Sequence, residues 1–136
     1  EECKVDWYNI RNRGGNMKPY MFITHNEGVD LNKVFGSSLI GYVKCSYQEL
    51  IDSFGEPLRV DLSTSDGKTD VEWEIEFQDG TYLHIYNWKN GKNYLGEEGR
   101  EVEDMTEWNV GGHSKKDLDK LQMVFQVNKI KALVSH

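Results

Sequence analysis

Between Thr69 and Trp88 apolar and polar side chains trade places at nearly every step. Val71, Trp73, Ile75 and Phe77 alternate with Glu72, Glu74 and Glu76, and after Asp79 and Gly80 the alternation resumes from Tyr82 to Trp88. Successive side chains on a strand point to opposite faces, so the stretch predicts a β-hairpin. Two turns fit it. With a type I turn over Phe77, Gln78, Asp79 and Gly80 and a bulge at Gly80, Phe77 faces Thr81. Val71, Trp73, Ile75, Phe77, Leu83 and Ile85 then share one face, and Glu72, Glu74, Glu76, Tyr82, His84, Tyr86 and Trp88 the other. A two-residue turn at Asp79 and Gly80 would set Tyr82, Tyr86 and Trp88 beside Trp73 and move Leu83 and Ile85 among the glutamates, because a one-residue slip inverts a strand. The bulged turn buries fewer unpaired carboxylates and is the expected one.

A period near 3.6 replaces the alternation where Tyr47, Leu50, Ile51 and Phe54 fall at i, i+3, i+4 and i+7. Ser46 and Glu49 stand in capping-box relation at its start, and Gly55 and Pro57 stop it. Ser114 with Asp117 resembles a second box, ahead of the apolar face Leu118, Leu121, Val124 and Phe125. Further strands are expected over Tyr20–Thr24, Leu39–Cys45 and Trp108–Val110, a short helical turn over Asp30–Phe35, and a long exposed loop over 89–107. Asn128–His136 either extends the second helix or pairs loosely. Residues 1–16 form a polar N-terminal extension ending in Arg13, Gly14, Gly15 and Asn16. The fold class is therefore α+β: a single domain over 1–136 with its core in 36–126. An antiparallel sheet is built round the aromatic hairpin and packed by two amphipathic helices, about 46–54 and 115–126.

Bulk properties narrow the function classes. A chain of 136 residues with 38% apolar residues supports one core. It holds 16 Lys and Arg against 23 Asp and Glu, and the resulting charge of −7 disfavours nonspecific nucleic-acid binding while suiting a basic protein partner, including a nucleic-acid-binding one. No apolar run is long enough to span a bilayer and no signal segment opens the chain, so a soluble, cytoplasmic protein is expected, without membrane partners. Glu1 in place of Met implies a removed initiator, signal or tag, or a piece of a longer chain. Cys3 and Cys45 make no disulfide framework and no metal pair; one bridge is allowed, and two reduced thiols are expected.

Each candidate chemistry has an ordinary structural reading beside it. Glu72, Glu74 and Glu76 contain pairs that could do acid-base work, and an alternating row of glutamates is also the solvated face of a strand. His25, His84, His113 and His136 lack metal-ligand spacing, so no metal or cofactor is expected. Cys45 ends a strand as a core residue would. Gly111 and Gly112, ahead of His113 and Ser114, either present amides to an anion or make a turn and helix cap. The best binding candidates are Tyr82, His84, Tyr86, Trp88, Lys89, Lys92 and Tyr94, where aromatics interleave with bases. Such side chains anchor protein interfaces and stack on nucleobases, or else form a second apolar layer under a helix or the N-terminal arm.

Gly41, Tyr42 and Val43, then Ser46, Tyr47, Glu49 and Leu50, then Phe54, Gly55, Glu56 and Pro57, followed by EWEIEFQDG, IYNWKNGKNYLG and WNVGGHS, carry a resemblance. Over roughly Gly36 to Val124 the chain resembles a group of small bacteriophage and large-DNA-virus proteins. The resemblance implies viral origin, a host-cell cytoplasmic location and an α+β domain, and supplies no catalytic residues. The order helix, FGEP turn and aromatic hairpin also looks like the β-lactamase-inhibitor type of fold, a binding scaffold. The expected function is a virus-encoded, non-enzymatic protein that binds a host protein stoichiometrically, a defence component being the first candidate. Its rivals are a nucleotide or nucleic-acid module using Trp88, Tyr94, Lys89 and Lys92, a toxin immunity protein, and a small hydrolase.

Overall fold

A computed structural model of the chain describes residues 22–25, 34–128, 130 and 132–135. Its elements are β1 (Phe22–His25), β2 (Ser38–Lys44), α1 (Tyr47–Phe54), β3 (Leu58–Arg59), β4 (Val71–Phe77), β5 (Tyr82–Tyr86), α2 (Lys92–Leu95), β6 (Glu107–Gly112), α3 (Leu118–Val127) and β7 (Leu133–Ser135). The strands pair antiparallel in the order β1-β4-β5-β6-β2-β7, with β3 also pairing β4. The hairpin takes the bulged turn. Gly80 N–H donates to Phe77 O (2.9 Å), Phe77 N–H donates to Thr81 O (2.8 Å), and Gly80 has φ +91°. A residue with a Cβ would be strained there. Glu76 consequently pairs with Tyr82 and Trp73 with Ile85, which sends Leu83 and Ile85 to the face of Trp73.

That face carries the core. Val71, Trp73, Ile75, Phe77, Leu83, Ile85, Trp108, Val110 and Val43 are fully buried, covered by Tyr47, Leu50 and Phe54 of α1 and by Leu118, Leu121, Val124 and Phe125 of α3. Both buried indoles spend their N–H on carbonyls just past the end of an element: Trp73 donates to Gly55 O after α1 (2.8 Å) and Trp108 to Cys45 O after β2 (3.0 Å). α1 has the expected capping box, with Glu49 N–H donating to Ser46 Oγ (3.0 Å) and Ser46 N–H to Glu49 Oε1 (2.8 Å). The hairpin turn is tied to α3 by Lys120 and Asp79 (2.6 Å). Partial burial acts against the Asp79 charge, but bonds from Lys120 and Thr81 outweigh it and hold the carboxyl at about 2. Burial, and then the charge of Glu49, push the Cys45 thiol up to about 12, so it packs as an un-ionised core group. Cys3 lies outside the described residues.

Three expectations need correction. Ser114 makes no side-chain cap; Lys115–Asp117 forms a 3-10 turn and α3 begins at Leu118. Gly111 and Gly112 belong to β6, pairing with Leu39 and Ser38 on one side and His84 and Leu83 on the other, so their amides serve the sheet and not an anion. Segment 89–107 is not a long exposed loop. It holds α2 and 3-10 turns at Gly96–Glu98 and Val102–Asp104, and drops Val102 and Met105 into the core. Its two apolar anchors are too few to set a period. Of the two courses open to the chain end, the structure takes the pairing one: Leu133–Ser135 pairs with β2 as β7. Of the first strand expected over Tyr20–Thr24 only Phe22–Thr24 is described, as part of β1, and of the helical turn only Val34–Phe35; the 1–16 extension lies outside the described residues. Among the described residues no helix is long and apolar enough to cross a membrane.

Candidate functional site

The second face of the sheet holds the alternate set. Register places His25 opposite Glu74, Glu74 opposite His84 and Glu72 opposite Tyr86. His84 Nε2 lies 2.7 Å from Glu72 Oε1, His25 Nε2 lies 3.0 Å from Glu76 Oε1, and the Tyr82 hydroxyl donates to Glu74 Oε1 (3.3 Å). The row of glutamates is thus half-buried and engaged, and not the solvated face expected of it: Glu72 is 22% and Glu76 12% exposed. Burial first, and the Glu72 charge second, push the Glu74 carboxyl above its ordinary value, against the lowering pull of His84, Tyr82 and His25.

The folded chain therefore keeps the Glu74 proton to higher pH than the unfolded chain does, and stability falls as pH rises past the ordinary 4.5. Glu74→Gln keeps an oxygen for the Tyr82 hydroxyl and removes the charge. It is expected to raise the melting temperature at about pH 7 and to leave it unchanged near pH 3, where Glu74 is protonated in both states. Melting curves across that range check this; a destabilisation at neutral pH would show that the charge of Glu74 supports the fold.

The seven binding candidates separate in space. Tyr82 is 1% exposed, with its hydroxyl bonded to Glu74 and its ring 6.0 Å from His113, so it is sealed and cannot be a contact residue. Burial and the neighbouring Glu74 raise its phenol well above the ordinary value. His84 stacks on Tyr86 (centroids 4.5 Å, planes 23° apart), and both are half-buried. Lys92 turns back into its own segment, donating to Glu97 O (2.9 Å) beside Glu101 (3.6 Å). Trp88 and Tyr94 remain outward, 44% and 47% exposed. Lys89 joins them, its Nζ 5.7 Å from the Trp88 centroid and 5.8 Å from that of Tyr94.

Lys68 joins the patch, and two exposed leucines, Leu62 and Leu95, lie on the segments that carry it. Lys68 Nζ lies 5.5 Å from the Trp88 centroid, and Leu62 and Leu95 are 56% and 46% exposed. Leu62 packs over Gly67 beside the residue that precedes Tyr94: a Cβ at Gly67 would meet Leu62 Cδ2 at 3.2 Å and the Asn93 carbonyl oxygen at 3.3 Å. The connection between β3 and β4 gives no periodic signal, so only the fold brings Lys68 to Trp88.

Beneath the patch lies a polar scaffold. Asn87, 1% exposed, accepts from the N–H groups of Asp70 (2.8 Å) and Val71 (3.1 Å) and donates to Asp70 Oδ1 (2.9 Å) and Asn90 Oδ1 (3.0 Å). Asn93 N–H donates to Asp70 Oδ2 (3.0 Å), and its side chain to Thr69 O (2.9 Å) and Val60 O (3.3 Å). Gly91 lies so close to the Asp70 carboxylate, and Gly99 to the Gly91 carbonyl, that a Cβ at either would collide. Lys89 N–H donates to Lys68 O (2.7 Å) while Lys89 holds φ +59°. That left-handed conformation costs a residue with a Cβ about 1 kcal/mol, and the surrounding bonds enforce it.

An open cleft of about 270 Å³ flanks the same segment, lined by Arg59, Asp70, Lys92, Asn93, Glu101 and Val102. Its cations face carboxylates at 3.6 to 3.8 Å, Lys92 to Glu101 and Arg59 to Glu103, so no net field marks it for an ion. Among the described residues no group of three or more His, Cys, Asp or Glu is placed to hold a metal. The chain matches no family model, no curated protein and no solved structure.

Proposed function

We propose that this chain works by stoichiometric attachment to a protein, without turnover, docking through the patch of Leu62, Trp88, Lys89, Tyr94 and Leu95. The observation that carries the reading is two aromatic rings about half exposed, 44% and 47%, mounted on a satisfied, buried hydrogen-bond scaffold. Exposed rings in a cluster mark interaction sites, and aromatic anchors held in place lose little conformational freedom on docking. A strained Lys89 at the centre is a further support, since such backbone persists at sites of use. The resemblance of its motifs to phage and large-DNA-virus proteins favours a viral protein whose partner is a host protein, a defence component first. Toxin immunity would use the same chemistry.

A nucleotide or single-stranded nucleic acid is the second reading, favoured by Lys68 and Lys89 beside the Trp88 ring. Affinity capture with wild type, Trp88→Ala and Leu133→Ala tests both. Leu133, 60% exposed on the last strand of the sheet, serves as the distant control. The expected result is a protein prey retained by Leu133→Ala and weakened about 30-fold or more by Trp88→Ala, at unchanged melting temperature. A prey list indifferent to Trp88 removes the patch. Recovery of nucleic acid, lost steeply with added salt, would install the second reading.

A further inference from the structure

The charges at this patch have an order that specifies its partner. Lys89 stands between the two rings, and among the described residues no carboxylate lies within ion-pair distance of it. Lys68, by contrast, already has Asp66 at 3.6 Å. The segments on either side carry exposed acids: Asp61 and Asp66 in the one that holds Leu62 and Lys68, with Asp66 at 3.6 Å from Lys68, and Glu97 and Glu98 beyond Leu95 and Gly96. The pattern is a single unpaired cation within an apolar centre, bordered by carboxylates.

Covering the centre strips water from the Lys89 ammonium, and a desolvated charge without a counter-charge opposes binding. We infer that the partner is a protein surface bearing one carboxylate, set in an apolar site to meet Lys89, and surrounded by lysines or arginines that meet the acidic border. This rests on the docking reading above and adds the partner's charge pattern to it. Nucleic acid fits less well on the same observations. Leu62 and Leu95 offer no ring for a base to stack on, the acidic border repels successive phosphates, and the chain as a whole carries −7. The net charge also draws a basic protein toward the patch, so long-range attraction and the border agree, and only the central pair runs the other way.

Selection from a random peptide display library on immobilised wild-type protein tests the assignment, repeated on Lys89→Glu and on Lys89→Gln, with melting curves checking that both variants fold. Wild type is expected to select apolar residues around one Asp or Glu, with Lys or Arg to either side. Those peptides should bind Lys89→Glu at least about 30-fold more weakly, and Lys89→Glu should select a base at the acidic position. Peptides that depend on Trp88 but bind wild type and Lys89→Glu alike would overturn the charge assignment and leave the docking patch standing. Failure to select any peptide sensitive to Trp88→Ala would sink both. A thymidine octanucleotide that quenches wild-type fluorescence, and does not do so with Lys89→Gln, would give the site to nucleic acid.

Discussion

Asn87→Ala is expected to cost the fold about 3 kcal/mol and to disperse the patch with it. The Asn87 carboxamide is buried and uses both ends: its oxygen takes the N–H groups of Asp70 and Val71, and its nitrogen serves Asp70 and Asn90. Truncation leaves two backbone donors at the start of β4 without an acceptor, each worth roughly 1 to 3 kcal/mol when buried, while the Asp70 carboxylate loses one of its donors. Asn90→Ala removes a single bond to the same network and should cost less than about 1 kcal/mol. Urea unfolding of the two variants measures the difference. A cost below about 1 kcal/mol for Asn87→Ala would mean that water takes over the freed groups, and the scaffold would then not be what positions Trp88 and Tyr94.

A larger loss is expected in the core. Trp73 is fully buried, edge-on to Trp108 (centroids 5.5 Å, 86°) and 5.9 Å from Tyr47, and its indole N–H closes on the carbonyl of Gly55 at the end of α1. Trp73→Ala creates a cavity and orphans that carbonyl, for about 4 to 5 kcal/mol, a large share of the total stability of any domain this size. Trp73→Phe refills most of the space and loses the hydrogen bond and the outer ring, for about 2 kcal/mol. Denaturant melts of the pair separate packing from the bond. Near-equal losses would place the cost in the Gly55 contact, and a small loss for alanine would show that α1 collapses onto the sheet without it.

The two results bear on different parts of the binding reading. Trp73 holds the helix to the face of the hairpin that is never presented to a partner, so its loss should lower stability and binding together. Asn87 lies one residue from Trp88, and its loss should lower binding more than stability alone accounts for. Trp88→Ala, on the surface, should lower binding only.

The hairpin was legible in the sequence because strand alternation is a local property. Val71 to Phe77 and Leu83 to Ile85 separate apolar from acidic residues in only one register, and Gly80 supplies the positive φ which that register requires. α1 was legible for the same reason, since Ser46, Glu49 and Gly55 act within one or two turns of their own positions. The burial of Tyr82 is not legible in the sequence, because alternation identifies a face and not its cover. Tyr82 lies on the polar side of the hairpin and is nonetheless sealed. The aromatic-basic segment itself points to Trp88 and Tyr94, but nothing points to Lys68, because no local pattern says which distant loop will lie beside the Trp88 ring.

Local composition and spacing, then, determined the α+β class, the two faces of the hairpin, the capped first helix and the aromatic-basic character of segment 82–94. Only the tertiary structure decided which of those rings reach solvent. The groups that decide it are 17 residues apart for Asn87 and Asp70, 23 for Asn93 and Asp70, and 33 for Asn93 and Val60. Hydrogen bonds between such partners depend on the closure of chain between them, which spacing along the sequence does not encode.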